Sequence, residues 1–134
     1  MPPLVSVAAL TEALIAAANP DLPEGCWVAP GSNEDWGGVW IEMFTAEGSW
    51  GGTGVAGLDE TISEDRVPGI VEMALDAIQD DVAHATRGIA WPSGGTRENP
   101  PPSAWASVTD GVLTFGYGDV RFGDGVRVAD LLIS

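Results

Sequence analysis

Apolar residues return every three or four positions between residues 61 and 89, where Val71, Leu75, Ile78, Val82, Ala85 and Ile89 fall on one side. That spacing predicts an amphipathic helix with one face turned to a core. Thr61-Ile-Ser-Glu64 has the form of a capping box, and Pro68 is tolerated only in a first turn, so the helix should begin close to Ser63 or slightly later. Gly88 is its C-cap candidate. A shorter helix is expected at the N-terminus. Ser6 suits its N-cap, Val7, Leu10, Leu14 and Ala17 share one side, and Asn19-Pro20 stops it.

Elsewhere the period falls to two. Cys26 to Ala29 and Gly38 to Phe44 read as strands paired in a hairpin with a long tip, with Val39, Ile41 and Met43 on one face of the second. Ala104 to Thr109 and Val112 to Tyr117 flank Asp110-Gly111, the strongest hairpin signal in the chain, and Leu113, Phe115 and Tyr117 should share a face. Past the Gly123-Asp-Gly125 turn, Val126 to Ile133 reads as a further strand, preceded by a short one at Val120 to Phe122. Residues 92–103 (PSGGTRENPPPS), rich in Gly and Pro, form a loop within the domain. Strand and helix do not alternate regularly, which argues against a parallel sheet. The expected fold is α+β: one domain over residues 1–134, built on a single antiparallel sheet of five or six strands, with the long helix across it and the shorter helix N-terminal.

Charge changes the picture most. Twenty Asp and Glu stand against five Arg, for a formal net charge of −15, and residues 1–65 hold eleven acids and no Arg, Lys or His. Such a field repels nucleic-acid phosphates and anionic membranes and speeds encounter with basic proteins, although acidity also serves solubility alone. Cys26 is the single cysteine, so neither an internal disulfide nor a cysteine zinc cluster can form, as suits a reducing, cytoplasmic setting. The apolar run from Leu4 to Ala18 lacks a basic flank and is broken by Glu12, unlike a secretory signal.

Candidate chemistry is sparse. Gly52-Thr-Gly-Val-Ala-Gly57 matches the dinucleotide fingerprint, but no helix is expected to start at its last glycine, and Glu47, Asp59 and Glu60 surround it. A glycine-rich turn or edge strand explains it better. Glu72, Asp76, Asp80 and His84 recur at four-residue spacing on the long helix, with Asp81 three residues before His84. A two-metal carboxylate motif would need a second histidine, so a solvated face or a docking face for a cationic partner remains. Cys26 or Ser49 with His84 lacks the flanking pattern of a nucleophile, and Gly118 to Gly125 does not fit a calcium loop.

Four tryptophans, Trp27, Trp36, Trp40 and Trp50, lie in the base-free half, and Trp36 is framed by Glu34 and Asp35. Aromatic anchors among carboxylates suit an Arg- or Lys-rich partner, although Trp36 folding back over the core is the plainer expectation. The residues expected to bind a basic protein are Glu34, Asp35, Trp36, Glu42 and Glu47, with Glu72, Asp76 and Asp80 as a second patch. No cofactor or metal is expected. The leading expectation is a small non-enzymatic binder of the inhibitor, immunity or nucleic-acid-mimic kind. A structural subunit of a homo-oligomer or particle comes second, and a carboxylate- or metal-dependent enzyme third.

Overall fold

The computed structural model describes residues 4–31, 38–85, 103–118 and 120–133. Strand β1 (Leu4–Ser6) leads into helix α1 (Val7–Ala18), and Ser6 caps it as expected, its hydroxyl accepting from the Ala9 N–H at 3.2 Å. Val7, Leu10 and Leu14 are buried on one side of α1. Thr11 is buried beside them and donates to the Val7 carbonyl at 2.8 Å, so its hydroxyl carries no desolvation debt.

Strands β2 (Trp27–Gly31), β3 (Trp40–Thr45) and β4 (Gly48–Gly54) form an antiparallel sheet in that order. Strand β5 (Thr61–Ser63) pairs with β1, and a 3-10 turn over Glu64–Arg66 precedes helix α2 (Val67–Ala85). Strand β6 (Ala104–Thr109) pairs with β7 (Val112–Tyr117), which also takes β8 (Val120–Arg121) and β9 (Val126–Arg127) on its far side. A 3-10 turn over Val128–Leu131 ends the regular structure.

Helix α2 is the element on which the rest converges. Val67, Val71, Leu75, Ile78 and Val82 are buried along it, against Ile41 and Met43 of β3 and Leu113, Phe115 and Tyr117 of β7 in one apolar cluster. Full burial of a Val, Leu or Ile side chain is worth about 1.5–3 kcal/mol each, so this stripe is what makes a helix with a proline in its first turn stable. The Tyr117 hydroxyl donates to the Leu75 carbonyl at 2.5 Å, tying β7 to α2. Phe122 meets the Tyr117 ring edge-on at 5.5 Å between centroids.

The mixed α+β class holds, but the expectation of one sheet of five or six strands does not: the strands divide among three small antiparallel sheets. Side chains occupy the edges where the sheets would otherwise extend. The Asn19 amide donates to the Val28 carbonyl at 3.0 Å while its oxygen accepts from the Val28 N–H at 2.8 Å, so a side chain pairs with the free edge of β2. At the edge of β6 the Glu72 carboxylate accepts from the Ala106 N–H at 3.3 Å.

Two local expectations also change. The capping box does not form, because Thr61–Ser63 is spent on pairing with β1, and Ser63 makes no side-chain cap; α2 starts at Val67 with Pro68 in its first turn. The strand expected over Val126 to Ile133 gives way after Arg127 to the 3-10 turn. An extended chain would put Asp130 on the same side as Val128, whereas the turn buries Val128 and Leu131 and leaves Asp130 exposed. The Asp110-Gly111 hairpin forms as read, with φ of 51° and 76°, the pair of positive values a type I′ turn requires. Gly88, Ile89 and nearly all of the 92–103 loop lie outside the described residues.

Candidate interaction surface

Period two on β3 sends Ile41 and Met43 inward and Trp40, Glu42 and Phe44 outward. Directly opposed residues of an antiparallel pair point the same way, so the register completes the outer face row by row. Trp40 lies between Gly31 and Gly54, Glu42 between Ala29 and Gly52, and Phe44 between Trp27 and Ser49. A carboxylate therefore stands in the middle row with an aromatic row on either side.

The glycines of this face make room for its own side chains. A methyl group at Gly31 would lie 2.5 Å from both the Glu42 Oε1 and the Trp40 Cδ1, so carboxylate and indole edge meet above that glycine. A methyl group at Gly52 would run into the Trp40 Nε1. The third row carries the largest exposed ring: Trp27 is 43% accessible and stacks on Phe44, with centroids 6.1 Å apart and planes 15° from parallel. At the end of the sheet, Trp50 is 39% accessible and donates its indole N–H to the Thr45 hydroxyl at 2.6 Å. Trp50 sits where the register between β3 and β4 slips by one residue.

The residues expected to bind a partner are divided by this geometry. Glu42 is at the centre of the outer face, and Glu47 is exposed in the turn between β3 and β4. Glu34, Asp35 and Trp36 lie outside the described residues. On α2, Asp76 and Asp80 are exposed, whereas Glu72 is half-buried and engaged with the β6 edge. Among the described residues, Glu42 stands on the outer face of the sheet and the helix acids on the far side of it. Helix α2 packs on the inner side of the β2–β3–β4 sheet, where a methyl group at Gly51 would lie 2.5 Å from the Asp81 Oδ1.

Other chemistry gains little from the structure. The His84 Nδ1 lies 3.0 Å from the Asp80 carbonyl oxygen, which makes Nδ1 the protonated nitrogen and turns it back on its own helix. Among the described residues, no group of three or more His, Cys, Asp or Glu is placed to hold a metal ion. Burial pushes the Cys26 thiol above its ordinary pKa, opposite to what a reactive thiolate needs. The glycine fingerprint is resolved as strand and turn: Gly52 to Gly54 finish β4, Ala56 and Gly57 both adopt φ of 60°, and the next α-helix starts at Val67. No helix among the described residues is long and apolar enough to cross a membrane.

The outer face was half legible in the sequence. Glu42, Trp27 and Trp40 stood out as residue types, but the alternation in Trp40-Ile-Glu-Met-Phe44 also carried the message that Phe44 joins them. Compared with known proteins, the chain matches no family model, no curated protein and no solved structure.

Proposed function

We propose that this protein is a non-enzymatic binder of basic protein surfaces, acting as an inhibitor, neutraliser or nucleic-acid mimic. The observation that carries the reading is the outer face of the β2–β3–β4 sheet, where Glu42 lies between the Trp40 and Phe44 rows and Trp27 and Trp50 are exposed, in a half of the chain without a base. Ion pairs between described residues are Arg66–Asp59 at 3.0 Å and Arg121–Asp124 at 4.0 Å, both at the surface. Against a formal charge of −15 these leave a strong net negative field, which a cationic partner would neutralise. The exposed Asp76 and Asp80 on α2 add a second, separate source of that field.

The test is capture of basic proteins from the native host on immobilised protein at low and at high salt. Capture that falls with salt, and falls further in an Asp76→Lys/Asp80→Lys variant, supports the reading; salt-independent capture that ignores the variant contradicts it. Glu72 is left intact in that variant because it serves the β6 edge.

A second reading has its own observation. Leu58 and Met73 are 66% and 70% accessible and, with Ile70, line a shallow pocket of about 340 Å³ beside the Arg66–Asp59 pair. Apolar surface of this kind is covered when copies of a chain assemble. Light scattering decides: a stable oligomer that Met73→Glu dissociates favours a structural subunit, and a monodisperse monomer removes that reading.

A further inference from the structure

We propose that a cleft between the Asp110-Gly111 turn and the 3-10 turn at Glu64 binds a small zwitterion, an apolar α-amino acid or a short apolar peptide with both ends free. Its carboxylate lies on Arg127 and its ammonium on Glu64 and Asp110. The inference goes beyond the reading above and does not depend on it.

The cleft exists because distant stretches of the chain are tied together around it. Val112 of β7 stands opposite Arg127 of β9, and the Val128 N–H donates to the Gly111 carbonyl at 2.9 Å. Leu132 bridges to Val5, and the Ile133 N–H donates to the Leu4 carbonyl at 3.1 Å. Leu4 in turn stands opposite Ser63, which brings Glu64 to the same place. The open cleft between them measures about 410 Å³, within the range of small-molecule sites. Val112, Val128 and Leu132 supply its apolar lining, and Glu64, Asp110 and Arg127 its charges.

Those charges are unpaired. Among the described residues, Arg127, Glu64 and Asp110 make no ion pair and no side-chain hydrogen bond; the paired arginines are Arg66 and Arg121. In a chain with twenty acids and five arginines, a guanidinium shares a cleft with two carboxylates and closes on neither, so the fold holds the two signs apart. A ligand that carries both signs spans that gap. Both of its contacts are charge-assisted, and the guanidinium can take a carboxylate through two N–H donors at once. Other ligands fit less well. A small anion is repelled by the field of a −15 protein, and a small cation drawn to the carboxylates is opposed by Arg127. A zwitterion has no net charge to be repelled and satisfies both walls, while the apolar lining favours a hydrocarbon side chain on it.

The test titrates four probes into the full chain and follows backbone amide shifts by two-dimensional NMR. Leucine and leucyl-leucine keep both ends, leucinamide only the ammonium, and N-acetyl-leucine only the carboxylate. Leucine or leucyl-leucine should shift the amides of Gly111, Val112 and Arg127 to Leu132, and the tighter of the two gives the length of ligand the cleft takes. Each single-ended analogue should bind about tenfold more weakly or worse. Arg127→Gln should remove the advantage over leucinamide. Glu64→Gln/Asp110→Asn should remove the advantage over N-acetyl-leucine, and Asn-Gly suits the hairpin turn as well as Asp-Gly does. Arg121→Gln, outside the cleft, should change nothing. No shift at these amides with either zwitterion up to about 10 mM overturns the site. So does a single-ended analogue that binds the parent chain as tightly as the zwitterions, or binding that Arg127→Gln leaves unchanged.

Discussion

Asp81 shows how a single residue ties the long helix to the sheet at a cost. Its carboxylate packs against Gly51 of β4, and burial, reinforced by neighbouring Asp80 and opposed by His84, pushes its pKa above the ordinary carboxylate value. A carboxyl that holds its proton more firmly in the folded chain than in the unfolded one favours folding when protonated. That contribution is complete below the ordinary carboxylate pKa and is lost as pH rises through the raised folded value. The midpoint of thermal unfolding should therefore rise as pH falls from neutral into the mildly acidic range, and Asp81→Asn should raise it at neutral pH and flatten the rise. Ala56 is a second residue under strain, at φ of 60° without being a glycine. Ala56→Gly should stabilise the protein by up to about 1 kcal/mol in denaturant unfolding, because the left-handed conformation costs a Cβ about that much. Tyr117 works the other way. Burial, with Asp76 and Asp80 nearby, drives its pKa far upward, so the hydroxyl remains the donor that holds the Leu75 carbonyl at any ordinary pH. Tyr117→Phe should cost about 1 kcal/mol, read in the same way, with little change between neutral and alkaline solution.

At the scale of elements, the edges of the sheets decide the architecture. Asn19 gives both of its amide groups to Val28, so the open side of β2 is closed by a side chain rather than by another strand. Asn19→Ala leaves that N–H and carbonyl without protein partners and should cost about 1–3 kcal/mol in chemical denaturation. Should the bared edge then pair with another copy, the same variant should also elute as a larger species in size-exclusion chromatography. The local periodicities of this chain were readable, and both helices and the Asp110-Gly111 hairpin stand where spacing and turn chemistry put them. Beyond the two hairpins, β2 with β3 and β6 with β7, spacing could not convey which strand meets which. Asn19 read as a helix stop and Glu72 as one of a row of surface acids, and only in three dimensions does each reach the edge of a strand, at Val28 and Ala106 respectively. Thr61 to Ser63 likewise carried a helix-capping signal and answered instead to a partner strand more than fifty residues upstream, at Leu4 to Ser6. The candidate surface follows the same rule. Alternation placed Glu42 among Trp40 and Phe44 on β3, while Trp27 and the glycines over which Trp40 and Glu42 pack arrive by cross-strand register, which no local pattern encodes.

For the molecule as a whole, the imbalance of charge joins stability to binding. A net charge of −15 with few ion pairs among the described residues means that folding gathers like charges, so added salt should raise the unfolding midpoint by screening them. The same repulsion is what a cationic partner relieves, and it makes encounter with such a partner fast at low salt. The most direct measurement is the association rate of the full chain with an oligo-arginine peptide, followed by stopped-flow tryptophan emission over a range of ionic strength. The account predicts a rate that falls by about tenfold or more between low and high salt. A rate that stays level across that range would contradict it.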